Sequence, residues 1–267
     1  MEIADKNYFP EYNLLIGQRI KAETECFDFS DQNIDLGYST QASVVYSSNI
    51  EGNTIDLNSF MNYQFSMEKF QPTKEIQEIE NLIDTYQFAQ ANQLDGENFL
   101  ECHRILSETL LINSKRGKYR IDKVGVFGET GLVYLAIEPE LVQERMKLFF
   151  ENIEELLTIE LSLEETFYFA SIIHLIFAHI HPFRDGNGRT ARLLEKWFLT
   201  EKLGTQYWKI PSEKYYKDNQ ARYYENLNLG VNYYELKYDT CISFLLMLPE
   251  CLKIKLSRFP SEQPGGK

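Results

Sequence analysis

The chain has 267 residues, 43% of them apolar and 25% charged, which is ordinary globular composition and excludes a disordered or fibrous chain. Its net charge of −13 excludes a protein that binds nucleic acid through a broadly basic face. There is no opening cationic and apolar leader and no run of about 18 apolar residues, so a cytoplasmic location is expected, with no membrane partner. Cys26, Cys102, Cys241 and Cys251 are spread without a C-x-x-C pair and are expected as free thiols.

Residues 1–40 are polar and aromatic, broken by Pro10, Gly17 and Gly37, and predict an N-terminal extension with at most one or two short helices. From Gln41 the spacing of Ala42, Val45 and Tyr46 predicts a short helix that stops at Gly52-Asn53. Glu51 then lies at the helix C-terminus, where the dipole disfavours a carboxylate by a few tenths of a kcal/mol. A side chain placed against its local preference is a candidate for engagement elsewhere.

Thr73 caps an amphipathic helix carrying Ile76, Ile79, Ile83 and Tyr86 to about Ala91. A second follows the Asp95-Gly96 turn, from Glu97 to Leu111. Between Gly117 and Leu135, two β-like runs flank Gly128-Glu129-Thr130-Gly131 and predict a hairpin. Pro139 opens a helix to about Leu157. Ser162 and Glu165 form a capping box for a helix to about Ala178 that is apolar nearly all round, hence central. After Pro182 a helix runs from Gly188 to Lys202, followed by Pro211–Gln220, Ala221–Leu229 and Tyr238–Leu248. The tail from Ser261 to Lys267 is expected to fray. The fold class expected is mainly α with one small hairpin.

One loop between two core helices concentrates chemistry: His181-Pro182-Phe183-Arg184-Asp185-Gly186-Asn187-Gly188-Arg189-Thr190-Ala191-Arg192. Gly186-Asn187-Gly188 before a helix lets backbone N–H groups converge on an anion. Asp185 is a hard oxygen ligand suited to Mg²⁺ that also binds substrate phosphates. Arg189 and Arg192, three apart, share a helix face. His181 is placed to accept a proton, and Phe183 is expected to anchor the loop inward.

This stretch resembles the H-P-F-x-D-G-N-G-R-x-x-R signature of Fic domains at every specified position. The Cys102-His103 helix, Gly117-Lys118-Tyr119-Arg120 and the Tyr223-Tyr224 helix are similar to further landmarks, so that the resemblance covers about 41–248. It implies a Fic-type helical bundle with a hairpin flap, flanked by residues 1–40 and a C-terminal tail, 249–267. It also implies transfer of AMP from Mg·ATP to a Ser, Thr or Tyr hydroxyl of a target protein. In that scheme His181 is the base and Asp185 holds Mg²⁺. Gly186, Asn187, Gly188, Arg189 and Arg192 bind the phosphates. Val124, Gly125, Val126 and Phe127 form the flap that aligns the target segment, while Tyr223, Tyr224 and Asn232 line the adenine and ribose pocket. The ATP-phosphorylating Doc relatives carry lysine in place of Gly188 and lack the later arginine, so Gly188 and Arg192 favour nucleotide transfer.

Ser47-Ser48-Asn49-Ile50-Glu51-Gly52 matches the family's inhibitory motif, [S/T]-x-x-x-E-[G/N]. It implies an inhibitory helix over about 41–52, with Ser47 in the motif and Glu51 paired to Arg192. The resemblance leaves open removal of AMP by the same site and transfer of UMP or phosphocholine. Expected partners are ATP, the target protein and a second copy of the chain. Outside the resemblance stand a metal hydrolase built on His174, His179, His181 and Asp185, and an inactive interaction module with an aromatic surface.

Overall fold

The computed structural model describes residues 3, 5–27, 29, 36–66, 71–128 and 131–253. At its centre α8 (Leu163–Ile180) packs antiparallel-like across a tight loop on α9 (Asn187–Leu203), the most extensive contact between any two elements. The reason is compositional. Phe167, Phe169, Ile172, Ile173, Leu175 and Phe177 are fully buried on every side of α8, and each such side chain contributes about 1.5–3 kcal/mol on leaving water. The expected capping box is present: Ser162 Oγ accepts from Glu165 N–H at 3.1 Å and Glu165 accepts from Ser162 N–H at 2.8 Å.

The other elements wrap this pair. The N-terminal segment forms α1 (Phe9–Tyr12) and α2 (Gln18–Cys26), joined by a π-helical stretch over Asn13–Gly17. Its Tyr12, Ile16 and Ile20 are buried in the common core, so the segment is part of the packed body. Then come α3 (Leu36–Ile50), α4 (Leu57–Phe65), α5 (Lys74–Ala91) and α6 (Gly96–Leu106). The hairpin β1 (Gly125–Gly128) and β2 (Gly131–Leu135) precedes α7 (Pro139–Thr158). Beyond α9 lie α10 (Ser212–Asp218), α11 (Gln220–Leu227), α12 (Ile242–Leu245) and α13 (Met247–Glu250). No described helix is long and apolar enough to cross a membrane.

The architecture is mainly α with a small hairpin, as the sequence predicts, and it differs in detail for identifiable reasons. Helix α3 starts at Leu36, ahead of Gln41. Helix α4 is unanticipated, although Asp56 caps it by accepting from Ser59 N–H at 2.8 Å. Helix α6 stops at Leu106 because the Ser107 hydroxyl turns back to His103 O at 2.6 Å. The strand begins only at Gly125: ahead of it Arg120 N–H bonds Pro182 O at 2.9 Å, which ties the segment to the α8–α9 loop instead of to a ladder. The pairing is antiparallel, with a bulge between Val126 and Phe127. Residues 129–130 of the hairpin tip and the tail 261–267 lie outside the described residues. The single helix expected over Tyr238–Leu248 is instead a 3₁₀ turn, Tyr238–Thr240, and the short α12 and α13.

Candidate active site

The loop between α8 and α9 is held from three directions. His181 ends α8 in the left-handed region, φ 52° and ψ 57°, and is the only non-glycine with positive φ among the described residues. That conformation costs about 1–3 kcal/mol and persists only where surroundings over-determine it. Arg120, 3% exposed, supplies the constraint. Its guanidinium donates to His181 O at 2.8 Å, Asp122 O at 3.0 Å and Ile137 O at 2.6 Å.

From α6, His103 accepts at Nδ1 from Gly117 N–H at 3.0 Å, so its proton sits on Nε2 and is donated to Asp185 O at 3.0 Å. Burial lowers its pKa to about 4, which keeps the ring neutral. The ring also stacks on buried Phe183, with centroids 3.5 Å apart and planes at 6°. From α9, the Asn187 amide closes the turn, accepting from Phe183 N–H at 2.9 Å and donating to Phe183 O at 2.8 Å. Phe183 thus anchors the loop inward. One N–H of the Asn187 amide remains for a ligand.

With the loop fixed, α9 starts at a cradle. Gly186 caps it at φ 80°, and a Cβ there would meet Leu106 Cδ1 at 2.8 Å, so only glycine brings the loop this close to α6. The first N–H groups of α9 have no partner within the helix and face an approaching anion with the dipole behind them. Arg189, 7% exposed, keeps its buried Nε without a partner, while its nearest carboxylate, Glu78, is 3.6 Å from Nη2. An orphaned buried donor beside a helix N-terminus fits a phosphate.

Asp185 is exposed and accepts from Gly186 N–H at 2.6 Å. No three His, Cys, Asp or Glu side chains are grouped for a metal among the described residues. A lone carboxylate beside an anion cradle suits Mg²⁺ arriving with phosphates, not a cation held wholly by protein.

His181 presents an imidazole to a cavity that Asn187 and Gly188 also line. Its Nδ1 lies 3.3 Å from Ala178 O, which puts the proton there and leaves Nε2 as the acceptor. Burial above all, with the nearby Arg120 charge adding to it, lowers its pKa to about 4 against the opposing hydrogen bond to Ala178 O and the smaller pull of Glu51 and Asp185, so the imidazole is neutral at pH 7.

Glu51 is brought to the same place. Helix α3 ends at Ile50, Gly52 turns the chain at φ 95°, and Glu51 Oε1 accepts from Arg192 Nη2 at 2.7 Å. Arg192 is fully buried and also donates to Ser47 Oγ at 2.9 Å, Ser47 O at 3.0 Å and Tyr223 Oη at 3.3 Å. Desolvation pushes the Glu51 carboxyl upward, but Arg192 and then Arg189 outweigh it and hold it below the usual range. Gly188 is the slot that admits the pair, because a Cβ there would lie 2.2 Å from Glu51 Oε1 and 3.2 Å from Arg192 Nη1.

The carbonyls that α3 leaves open at its C-terminus are capped from α10 and α11. Lys217 Nζ donates to Asn49 O at 3.0 Å, while Gln220 Nε2 at 2.8 Å and Tyr224 Oη at 3.0 Å donate to Ile50 O. The sequence gives no sign of this cap.

These elements enclose a cavity of about 560 Å³, lined among others by Glu51, His181, Asn187, Gly188, Tyr223 and Tyr224, with Val126, Phe127, Gly128, Val133 and Tyr134 from the hairpin. That is the size of a nucleotide-scale site. Val124, Gly125, Asp185, Gly186, Arg189 and Arg192 do not contribute to its wall. Nor does Asn232. Its backbone pairs with Leu135 and its side chain accepts from Tyr234 N–H at 3.0 Å, while Asn228 is among the residues lining the cavity.

The hydrolase arrangement finds no geometric support. His174 bonds Glu195 at 2.8 Å and Tyr223 Oη at 2.9 Å, while His179 bonds Tyr238 Oη at 3.1 Å and Leu227 O at 2.9 Å. His174 instead belongs to a buried chain, Arg192–Tyr223–His174–Glu195–Tyr216, that backs the cavity. Tyr223 Oη accepts from Arg192, which leaves its hydroxyl hydrogen free to be donated to His174 Nε2 while His174 Nδ1–H faces Glu195. Sequence spacing cannot reveal such a chain, whose members lie on α8, α9, α10 and α11.

Residues 93–199 match the model of the Fic/DOC family. No curated protein matches the chain. Among solved structures, a Fic family protein from Desulfovibrio desulfuricans aligns with TM-score 0.74 and 23% identity, over 91% of this chain and 73% of that one. A Fic-domain-containing signaling protein from Bacteroides thetaiotaomicron aligns with TM-score 0.65 and 18% identity, over 87% and 93%. Fic-1 of C. elegans aligns with TM-score 0.66 and 20% identity, over 91% and 71%. These likenesses concern the fold, and the match across the α8–α9 loop concerns the site. Residues 93–199 thus match a family whose members transfer nucleotide or phosphate-containing groups onto proteins.

Proposed function

We propose that the protein is an adenylyltransferase that moves AMP from ATP to a hydroxyl side chain of a target protein, and that Glu51 holds it inactive. The observation that carries this is the meeting, in one cavity, of a neutral His181, the α9 cradle beneath Gly188 and a carboxylate lodged on Arg192.

In the reaction His181 Nε2 accepts the proton of the target hydroxyl as its oxygen forms a bond to the α-phosphorus. The bond from that phosphorus to the bridging oxygen breaks, and pyrophosphate leaves with the electron pair. The N–H groups at the start of α9, the spare Asn187 N–H, Arg189 and, once released, Arg192 hold phosphate oxygens. Charge stabilisation and in-line positioning supply the rate. A Mg²⁺ ion carried in with the phosphates and held by Asp185 would supply neutralisation of the leaving group's charge. Tyr223 and Tyr224 bound the nucleoside side of the cavity, and the hairpin aligns the target by strand addition.

The inhibitory part follows from the ion pair. While Glu51 occupies Arg192, the guanidinium is withheld from the phosphates and a carboxylate stands where they would lie. A charge-assisted pair in a desolvated site contributes about 1.5–3 kcal/mol, which silences most turnover. The test is intact-mass spectrometry after incubation with Mg·ATP and cell lysate, for wild type, Glu51→Gly and Glu51→Gly with His181→Ala. AMP-sized adducts that appear with Glu51→Gly and vanish in the double variant are expected. Absence of adducts from every variant, with ATP binding intact, would refute AMP transfer and direct the assay to UTP, CTP and CDP-choline.

A further inference from the structure

Resting on that function, we propose that the target segment recognised at the hairpin is acidic and apolar. The carrier is an island of positive charge in a strongly acidic molecule. The chain bears −13 overall, yet between Lys115 and Phe127 it places five cations, Lys115, Arg116, Lys118, Arg120 and Lys123, against one carboxylate, Asp122.

Two of the five are spent internally. Arg120 bolts the catalytic loop, and Arg116 donates to Leu111 O at 2.8 Å and Glu108 O at 2.6 Å. The single carboxylate is shared, with Lys115 at 3.4 Å and Arg184 of the catalytic loop at 2.7 Å. Lys118 and Lys123 are exposed and make no ion pair within 4.0 Å among the described residues. Neither lines the 560 Å³ cavity, so their charge is not committed to the nucleotide phosphates.

Apolar side chains are interleaved with this charge. Ile121 is 76% exposed and Phe127 73%. The strip runs without a break into β1, which pairs with β2 on one edge only. A target strand added to the open edge carries its flanking residues past Ile121, Lys118 and Lys123 as its hydroxyl reaches His181. Opposite charge beside that edge selects carboxylates on the target, and the exposed Ile121 and Phe127 select an apolar residue between them. The net charge of −13 opposes acidic proteins in general, so a strip of exposed cations is where opposite charge favours docking.

The test uses the full chain carrying Glu51→Gly and fluorescein-labelled peptides with a central Thr, in which Leu alternates with Glu, Gln or Lys. Binding is read by anisotropy, and AMP transfer is read separately by mass. The Glu peptide should bind about tenfold or more tighter than the Gln peptide at low salt and lose most of that margin at high salt. K118E with K123E should abolish or invert the preference while ATP binding and melting temperature stay put. Equal binding of all peptides, a preference surviving K118E/K123E, or tighter binding of a single-stranded oligonucleotide of equal charge would each overturn the proposal. Charge-selective binding without AMP transfer would count against the adenylyltransferase reading alone. AMP transfer without charge selectivity would count against the docking strip alone.

Discussion

The catalytic loop and the hairpin face each other across one cavity and are built on opposite principles. Around the loop, the carbonyls of His181, Pro182, Phe183 and Asp185 are each taken by a donor from Arg120, Asn187 or His103. The hairpin has two short strands, a bulge, and Phe127 and Leu132 in solvent, 73% and 53% exposed. Atoms that need fixed positions for phosphoryl chemistry are over-restrained, and the surface that meets a variable polypeptide is left open.

The largest effect that sharpens this contrast comes from His181→Gly in the Glu51→Gly background. Glycine accepts φ 52° freely, so melting temperature should hold or rise by the equivalent of up to about 1 kcal/mol. Transfer should fall by about 10²–10⁴ with the loss of the base. A fall in stability would mean that the His181 conformation is not strained.

Next is Arg120→Met, which keeps much of the volume and strips the carbonyls of their donor. Denaturant unfolding should show a loss of about 2–4 kcal/mol, with kcat falling more than the KM for ATP rises. An unchanged midpoint would show that the loop does not depend on it.

An effect confined to acid pH follows. With the His181 pKa lowered to about 4 by burial, the base form is lost only as pH falls through that value. The kcat/KM profile should therefore lack a limb near the ordinary histidine value of about 6.5. Bound triphosphate adds negative charge and raises the pKa, so the kcat profile should bend at higher pH than kcat/KM. Coincident limbs would contradict this.

The smallest effect belongs to the hairpin. Phe127→Ala should leave stability within about 0.5 kcal/mol of wild type, as expected for an exposed site, while raising the KM for a peptide target. A large stability loss would erase the contrast between the two regions.

What the sequence reveals of this site follows from how local each signal is. The His181–Arg192 loop, the Ser162 capping box, the Thr73 cap and the position of Glu51 at a helix end depend on neighbours within a few residues. All stand where expected. The scaffold behind them does not. Arg120 reaches Ile180 and His181, sixty residues on, and Lys196 pairs with Glu213 at 2.5 Å deep in the core. In sequence, Arg120 stands in a stretch that resembles a family landmark, but nothing local shows which carbonyls it holds. The strand expected from Gly117 fails for the same reason, since its apolar residues answer to the loop and not to a ladder. Asn232, expected at the nucleoside pocket by resemblance, caps the turn at 233–235 and is not among the residues lining the cavity, whereas Asn228 is.

In the function proposed, one carboxylate, Glu51, gates a site otherwise ready for chemistry. Single-turnover AMP transfer to a common acceptor protein, with wild type and Glu51→Gly compared at saturating Mg·ATP, tests it most directly. Release of a pair contributing about 1.5–3 kcal/mol should accelerate transfer by about 10–150-fold, with His181 still required. Equal rates in the two proteins would contradict it.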